Sequence, residues 1–279
     1  MSDDHFISSN VLIAGLGVIG GSVAKSLWKA GCSNVYAYDR DTESLNTAKA
    51  DGVLRDGFTS LDEAPMVDIV ICCLPPDLVV SCYKDTAPHI KSGGVFAELG
   101  GLKTQIIAEL ESALMDHHEL LSLHPMAGSE KSGYAHSYTH MFVDCMMILA
   151  ASKKTGETAR RWGDALCRAM VCREMCEMSA AQHDEVIGRV SHIPHIAALA
   201  IKATAGGDER YAGGSYQGAT RVADINASLW AGLLIDNKEY LKESMSQLKQ
   251  NISILEDAIN AGDADALETL LNDIKKTTE

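Results

Sequence analysis

The chain of 279 residues has the length of about two average domains, and its hydrophobic fraction of 46% excludes disorder as the dominant state. It contains 24 Lys and Arg residues and 38 Asp and Glu residues, so its formal net charge is −14. An acidic protein repels phosphate backbones and anionic membrane surfaces, so we expect neither nucleic acid nor a membrane among its partners.

Short apolar segments and helical segments alternate through the first two thirds of the chain. Strands are expected at residues 10–15, 34–39, 67–74, 93–99, 120–124, 145–151 and 171–178. Helices are expected at residues 22–31, 43–51, 104–117 and 157–170. This alternation predicts an α/β fold, with a Rossmann-type parallel sheet that is covered by helices on both faces.

The pattern changes near residue 179, where the strand signals end. Residues 180–205 are rich in Ala and Ile, and a glycine-rich stretch follows over 206–218. Apolar residues then recur at alternating steps of four and three, which predicts a helix with an apolar seam: Leu241, Met245, Leu248, Ile252, Leu255 and Ile259. The seam fits either a dimer partner or the core of a single subunit.

A last amphipathic helix is predicted at residues 263–276, with Asp263 as its N-cap. The strand signals are confined to the first part of the chain and the second part is helical throughout. We therefore expect an α/β domain at residues 1–178 and an all-helical domain at residues 179–279.

The segment Gly15, Leu16, Gly17, Val18, Ile19 and Gly20 is a G-x-G-x-x-G motif between an expected strand and an expected helix. In this motif the first glycine permits a tight turn, the second lets a pyrophosphate approach the backbone, and the third lets helix and strand pack closely. The amide groups at the helix N-terminus then hold the phosphates without a basic cluster. The motif predicts a dinucleotide site.

Asp39 lies 19 residues beyond Gly20, at the end of the second expected strand. A carboxylate at this point accepts hydrogen bonds from the ribose hydroxyls and repels a 2′-phosphate, which favours NAD over NADP. Arg40 beside it keeps NADP as an alternative. The nicotinamide is expected at the carboxyl ends of the strands, near Leu74 and Pro75.

The sequence shows no sign of export or of membrane insertion. The first ten residues lack the basic and apolar regions of a signal peptide, and no apolar run approaches the ~18 residues of a membrane span. None of the eight cysteines forms a CxxC pair, and disulfide frameworks are typical of smaller secreted chains. We expect reduced, mostly buried thiols in a cytoplasmic protein.

His124 directly follows an expected strand and opens a polar segment, residues 124–133. A histidine beside a nicotinamide can take the proton of a hydroxyl while a hydride leaves the same carbon. The alternative is a structural histidine that is bonded to the backbone at a strand end.

Two further groups of polar residues lie in the helical part. His192 and His195 share one helical face, and Pro194 is expected to kink or begin their helix. This HxxH spacing also occurs at metal sites, but no third ligand stands at a recognised spacing, so we expect no metal. Arg221 follows the glycine-rich stretch, and its guanidinium matches a carboxylate unless it is simply a solvated surface group.

These segments together resemble the prephenate/arogenate dehydrogenase family of tyrosine biosynthesis. The resemblance runs in order from residues 15–24 through residues 124–133, His183 with Asp184 and residues 191–195, and then to residues 219–224 and the region of Trp230. The sequences HPMAGSEKSG and SHIPH are specific to the family, whereas the glycine motif is shared by many families.

The resemblance implies a role for each matching residue. His124 corresponds to the catalytic histidine that hydrogen-bonds the ring hydroxyl of the substrate. His195 corresponds to a histidine of the substrate pocket, and Arg221 to the arginine that binds a substrate carboxylate. Glu130 corresponds to an acid near the pocket entrance that can pair with an arginine, and Ser129 beside it is a further substrate-binding candidate. The family also implies a homodimer that forms through the helical domains.

Two positions depart from the family pattern. Gly101 stands where the family commonly has a serine, two residues before Lys103, so a hydroxyl that assists the catalytic histidine is missing. Gly218 stands where the family often has an acid, three residues before Arg221. Lys103 is a further candidate for binding a substrate carboxylate.

The resulting hypothesis is an NAD-dependent prephenate dehydrogenase that forms 4-hydroxyphenylpyruvate. Arogenate dehydrogenase is the nearest alternative, although the missing acid at Gly218 favours prephenate, because arogenate carries an amino group. More distant alternatives are another two-domain hydroxyacid or imine oxidoreductase and a non-catalytic NAD-binding regulator.

Overall fold

The computed structural model describes residues 3–129 and 131–276. The chain divides between Asp184 and Glu185 into two compact units. The division falls inside the helix Ala180–Ile187, shortly after the boundary at residue 178 that the sequence predicts.

The first unit is built on an eight-stranded sheet. Its strands are β1 (Val11–Ala14), β2 (Val35–Tyr38), β3 (Asp56–Phe58), β4 (Val67–Cys72), β5 (Ile90–Glu98), β6 (Glu119–Pro125), β7 (Met146–Ala151) and β8 (Glu174–Ser179). The strand order is β3-β2-β1-β4-β5-β6-β7-β8. The chain therefore moves outward in one direction from β1 to β3, and in the other from β4 to β8. This reversal between β1 and β4 is the point at which open α/β sheets bind their ligands.

The first six strands are parallel, as the sequence predicts, but β7 is antiparallel to β6 and β8 is parallel to β7. Parallel pairing needs a crossover that returns the chain to the opposite edge. Between β6 and β7 the described residues form one short 3₁₀ turn, Tyr134–His136, and no crossover helix. Thus β7 enters the sheet from the edge at which β6 ends.

Helices cover both faces of the sheet. They are α1 (Asp3–Ser8), α2 (Val18–Lys29), α3 (Thr42–Ala50), α4 (Val79–Thr86), α5 (Thr104–Ala113), α6 (Glu157–Ala169) and α7 (Ala180–Ile187). Along β1, Val11 and Ile13 pack with α2, α3 and α6, whereas Leu12 and Ala14 pack with α4 and α5. Successive side chains of a strand point to opposite faces, so a continuous apolar run fills both cores.

The second unit contains the helices α8 (Ile193–Ala205), α9 (Gly214–Thr220), α10 (Ala227–Asp236), α11 (Lys238–Ala261) and α12 (Ala264–Lys276). The predicted N-cap of α12 is confirmed, because Oδ1 of Asp263 accepts from the backbone N–H groups of Asp265 and Ala266, each at 3.0 Å. The seam helix is confirmed as α11. Leu241 at its start is buried, but Ile252 and Ile259 are 55% and 63% exposed, so the far part of the seam is not core within one chain.

All eight cysteines are free thiols, and five of them are buried. Within residues 3–129 and 131–276, no helix combines the length and the apolar character that crossing a membrane would need.

Candidate active site

The loop between β1 and α2 has the geometry of a dinucleotide-binding turn. Gly15 has φ +90°, and a Cβ there would lie 2.7 Å from Cδ2 of Leu74. A Cβ on Gly20 would lie 1.9 Å from the carbonyl oxygen of Gly15, so the helix can approach the strand this closely only with glycine. A Cβ on Gly17, by contrast, would meet no described heavy atom within 4 Å, apart from atoms of the two residues next to it in sequence. A pyrophosphate can therefore reach the backbone at Gly17 and the first turn of α2.

Asp39 follows β2 and is tied to this loop. Its Oδ2 accepts from the backbone N–H of Leu16 at 2.5 Å, and its Oδ1 accepts from that of Asp41 at 2.8 Å. The carboxylate is thus fixed where the motif requires a partner for the ribose hydroxyls, and its charge opposes a 2′-phosphate. Arg40 is exposed. These residues fit NAD.

Leu74 and Pro75 follow β4, whose partner on one side is β1. Because the strands β1, β4, β5 and β6 are parallel, their carboxyl ends share one edge of the sheet. Two strand spacings, about 10 Å, separate β4 from β6 along that edge. His124, near the end of β6, therefore lies on the same edge as the dinucleotide loop.

His124 is half-buried and its ring is held by a second histidine. Nδ1 of His124 lies 2.8 Å from Nε2 of His183, and Nδ1 of His183 lies 2.7 Å from Oδ1 of Asp184. We call these three side chains the histidine relay. His183 and Asp184 come from α7 and lie 59 residues or more beyond His124 in sequence. The sequence did not identify either as a site residue, although the His-Asp dipeptide was part of the family resemblance.

Asp184 also accepts two backbone hydrogen bonds at the start of α5. The N–H of Lys103 donates to Oδ1 and the N–H of Thr104 donates to Oδ2, both at 2.8 Å. Burial alone would raise the pKa of Asp184, but the hydrogen bonds from His183, Thr104 and Lys103 lower it below its usual value. Asp184 is therefore an ionised carboxylate at neutral pH.

Lys103 lies in a buried ion pair rather than at an accessible surface. Its Nζ donates to Oε1 of Glu98 and to the carbonyl oxygen of Leu123, both at 2.7 Å, and both charged side chains are fully buried. Burial lowers the pKa of Lys103, and the charge of Glu98 opposes that effect. The expectation that Lys103 binds a substrate carboxylate is not supported, because this arrangement leaves its ammonium group no exposed surface.

The segment after His124 is anchored to the dinucleotide-binding helix. Nζ of Lys25 donates to the carbonyl oxygen of Ser137 at 2.9 Å, and the N–H of Tyr138 donates to Oγ of Ser22 at 3.0 Å.

Nearer to His124, Oγ of Ser129 accepts from the N–H of Lys131 at 3.1 Å. Glu130 lies outside the described residues.

In the second unit, the chain widens into a π-helical turn, Gly188–His192, directly before α8. Pro194 accounts for this turn, because proline has no N–H to donate and its ring clashes with the carbonyl of the residue four positions earlier, Val190. Pro194 lies in the first turn of α8, so of the two expectations, a kink or a helix start, the structure shows the helix start. Both His192 and His195 contact the indole of Trp230, with ring centroids 5.7 and 3.9 Å away.

His195 has a defined tautomer. Its Nδ1 donates to the carbonyl oxygen of Ser191 at 2.8 Å, so the lone pair of the neutral ring is on Nε2. Arg221 is exposed and begins a 3₁₀ turn, Arg221–Ala223, that packs against the helix carrying His195. The second unit thus brings together the elements that carry His195 and Arg221, two of the residues that the sequence assigned to the substrate.

Comparison with known proteins agrees with this geometry. Residues 23–162 match the family model for the prephenate dehydrogenase nucleotide-binding domain, and residues 179–273 match that for its dimerization domain. Cyclohexadienyl dehydrogenase of Zymomonas mobilis is 29% identical over 94% of this chain and 92% of its own length. Prephenate dehydrogenase of Bacillus subtilis is 26% identical over 94% of this chain and 73% of its own length.

Among solved structures, prephenate dehydrogenase of Aquifex aeolicus, in complex with hydroxyphenyl propionate and NAD⁺, has a TM-score of 0.87. It is 27% identical and the match covers 97% of both chains. Arogenate dehydrogenase of Synechocystis, at 20% identity and a TM-score of 0.82, shares the fold. The first family match begins after the glycine loop, so the loop geometry supports a dinucleotide site separately. The chain belongs to the prephenate dehydrogenase family, whose members are NAD-dependent oxidoreductases.

Proposed function

We propose that the chain catalyses the NAD-dependent oxidative decarboxylation of prephenate to 4-hydroxyphenylpyruvate. One observation carries the proposal: an oriented histidine, His124, lies on the sheet edge that also holds the dinucleotide loop. The oxidation of an alcohol needs one acceptor for the proton of the hydroxyl and another for the hydride of the carbon that bears it. This edge provides for both.

His124 acts as the general base. Nε2 of the ring takes the proton of the hydroxyl on the substrate ring, so that an O–H bond breaks and an N–H bond forms. Bound NAD supplies the hydride acceptor. The ring then becomes aromatic with loss of CO₂, which provides the driving force, so the chain's own task is to orient and bind.

The residues that would hold NAD are those of the glycine loop, with Asp39 as the partner of the ribose hydroxyls. Gly17 leaves the approach to the backbone open, and the first amides of α2 would bind the phosphates. Leu74 and Pro75, which follow β4, would contact the nicotinamide. Because Asp39 opposes a 2′-phosphate, NAD is preferred to NADP.

Arg221 and His195 are the proposed ligands of the substrate carboxylates. An exposed guanidinium can bind a carboxylate through two parallel hydrogen bonds, and Nε2 of His195 can add a third. Ser129 and Glu130 complete the proposed substrate-binding set. With a net charge of −14, the protein as a whole repels a dicarboxylate, so binding depends on these few local groups.

The proposal favours prephenate over arogenate. The two substrates differ in a keto group and an amino group, and a pocket for an ammonium group would gain from a nearby carboxylate. Gly218 stands at the position where the family often has an acid, and a Cβ there would meet no described atom within 4 Å. We further propose a homodimer, which would cover the exposed part of the seam, and a cytoplasmic location, which the free thiols support.

A spectrophotometric assay of nicotinamide reduction tests the proposal. The purified chain is supplied with prephenate or arogenate, each with NAD or NADP. Reduction is expected to be most efficient with prephenate and NAD. No reduction with prephenate would refute the proposed function, and a higher kcat/KM with arogenate would reverse the substrate assignment.

A further inference from the structure

His183 is fully buried, and each of its ring nitrogens faces an ionisable side chain. Nδ1 lies 2.7 Å from Oδ1 of Asp184, and Nε2 lies 2.8 Å from Nδ1 of His124. An ionised carboxylate only accepts hydrogen bonds, so Nδ1 of His183 carries a proton. In the neutral ring Nε2 is then an acceptor, and Nδ1 of His124 must be the donor to it.

We propose that His183 is a positioning residue for proton transfer to His124, a role that rests on the proposed function. It holds His124 in the tautomer whose lone pair is on Nε2, and it fixes the orientation of the ring. When the substrate O–H bond breaks, the new N–H bond forms at Nε2 of His124 and that ring becomes cationic. Its Nδ1–H then donates more strongly to His183, because charge-assisted hydrogen bonds are the stronger ones.

Asp184 determines which ring nitrogens of the histidine relay donate hydrogen bonds and which accept them. It accepts from His183 and from two backbone N–H groups at the start of α5, where the helix dipole also favours negative charge. The carboxylate therefore keeps its charge while buried, and it keeps the proton of His183 on Nδ1. With that proton on Nδ1, the neutral ring of His183 accepts at Nε2 from His124.

Lys103 ties the two ends of the relay to one residue. Its backbone N–H donates to Asp184, while its Nζ donates to the carbonyl oxygen of Leu123, the residue before His124. The base and the carboxylate are thus fixed to the same point at the start of α5. The buried lysine thus has a structural role, although its ammonium group has no exposed surface.

Two substitutions at His183 separate positioning from packing. His183→Phe keeps the ring but removes both nitrogens, and it is expected to lower kcat by about 10²-fold or more, with KM changed less than about threefold. His183→Gln retains an acceptor for His124 and a donor for Asp184, so it is expected to recover at least about tenfold of that loss. His118→Phe is the matched control. His118 is also buried and its Nδ1 lies 3.0 Å from the hydroxyl of Tyr83, so this variant is expected to keep kcat.

Nitrogen NMR of ¹⁵N-histidine-labelled full-length protein measures the tautomer without any substrate. In the wild type, His124 and His183 are both expected to carry the proton on Nδ1 at neutral pH. In His183→Gln, His124 is expected to keep that tautomer, because the amide oxygen still accepts.

The outcomes are distinct. A wild-type His124 with its proton on Nε2 would overturn the proposal, as would an unchanged kcat in His183→Phe or an equal loss in His118→Phe. If His183→Phe does not fold, a His183→Gln variant with near wild-type kcat and an Nδ1-protonated His124 supports the proposal. His183→Gln with the Nε2 tautomer and normal kcat contradicts it. If the wild type does not oxidise prephenate, the proposed function fails, whereas the tautomer still decides the relay.

Discussion

His124 and His195, the two histidines that the sequence assigned to the site, are held in opposite ways. In the first unit, His124 is bonded to a buried histidine that is itself bonded to an ionised carboxylate. In the second unit, His195 is bonded to a neutral backbone carbonyl, and its ring is tilted by 32° against the indole of Trp230, with the ring centroids 3.9 Å apart. A ring that must gain charge benefits from a carboxylate in line with it, whereas a ring that only binds needs a fixed orientation. The contrast agrees with the roles proposed above, a proton acceptor for His124 and a substrate ligand for His195.

The same contrast extends to the cations. Lys103 of the first unit is fully buried and paired with Glu98, whereas Arg221 of the second unit is exposed. A buried ion pair fixes the local structure, and the protein loses much of its folding stability when one partner is removed. An exposed guanidinium costs little to keep and is accessible to an anionic ligand.

The largest expected effect is on turnover. His124→Asn removes the proton acceptor, so kcat is expected to fall by about 10² to 10⁴-fold with little change in the KM for prephenate. His195→Asn is the matched change in the second unit and should mainly raise KM, by about tenfold. Steady-state kinetics of both variants tests the contrast, which would be broken by equal losses of kcat.

The next effect is on stability. Lys103→Met leaves the Glu98 carboxylate buried and unpaired, which is expected to lower the free energy of unfolding by about 3–5 kcal/mol. Lys91→Met is the control, because Nζ of Lys91 lies the same 2.7 Å from Asp68 but 44% of its side chain is exposed. Its loss should be below about 1 kcal/mol. Urea denaturation measures both, and a similar loss in the two variants would contradict the role given to burial.

The third effect is on substrate affinity alone. Arg221→Ala should raise the KM for prephenate by about 10- to 100-fold, since a hydrogen-bonded charge pair contributes about 1.5–3 kcal/mol. Arg221→Lys keeps the charge but loses the planar fork, so an intermediate KM is expected. Arg210→Ala, another arginine of the second unit, serves as the control and should leave KM unchanged. A loss confined to kcat in Arg221→Ala would mean that Arg221 is not a carboxylate ligand.

The sequence predicted the elements that carry strong periodic signals. It located seven of the strands and the seam helix, because apolar runs of four or more residues and steps of four and three are visible without any structure. It missed β3, whose three residues include Gly57 and form no apolar run. It also missed α4, which begins just after Pro75 and Pro76, where the chain was expected to turn.

Within the site, local motifs were predicted better than long-range pairs. The glycine loop and Asp39 are identified by spacing, but His183 meets His124 across 59 residues, a separation that spacing alone cannot interpret. Lys103 was assigned to the substrate because an isolated cation suits a carboxylate. Its actual partner, Glu98, lies five residues away across a turn whose direction the sequence does not show.

The smallest expected effect is the pH dependence of stability that comes from Asp184. Its pKa in the folded protein is lowered below the unfolded value of about 3.9, so the folded state binds fewer protons than the unfolded state in the interval between the two values. Its stabilisation is therefore complete above the unfolded pKa and is lost as pH falls through the folded pKa. Asp184→Asn should flatten this acid limb of the stability curve, measured by thermal unfolding between about pH 5 and pH 2.

Asp56→Asn is the control for this measurement. The pKa of Asp56 is also lowered, by its hydrogen bond with Lys49, but both side chains are about half exposed, so solvent screens the pair. Its acid limb should change less than that of Asp184→Asn. If Asp184→Asn leaves the acid limb of the stability curve unaltered, the carboxyl group of Asp184 is not ionised in the folded protein. The proposed donor and acceptor roles in the histidine relay would then be wrong. The stability curve thus tests, without substrate or cofactor, the charge on which the contrast between His124 and His195 depends.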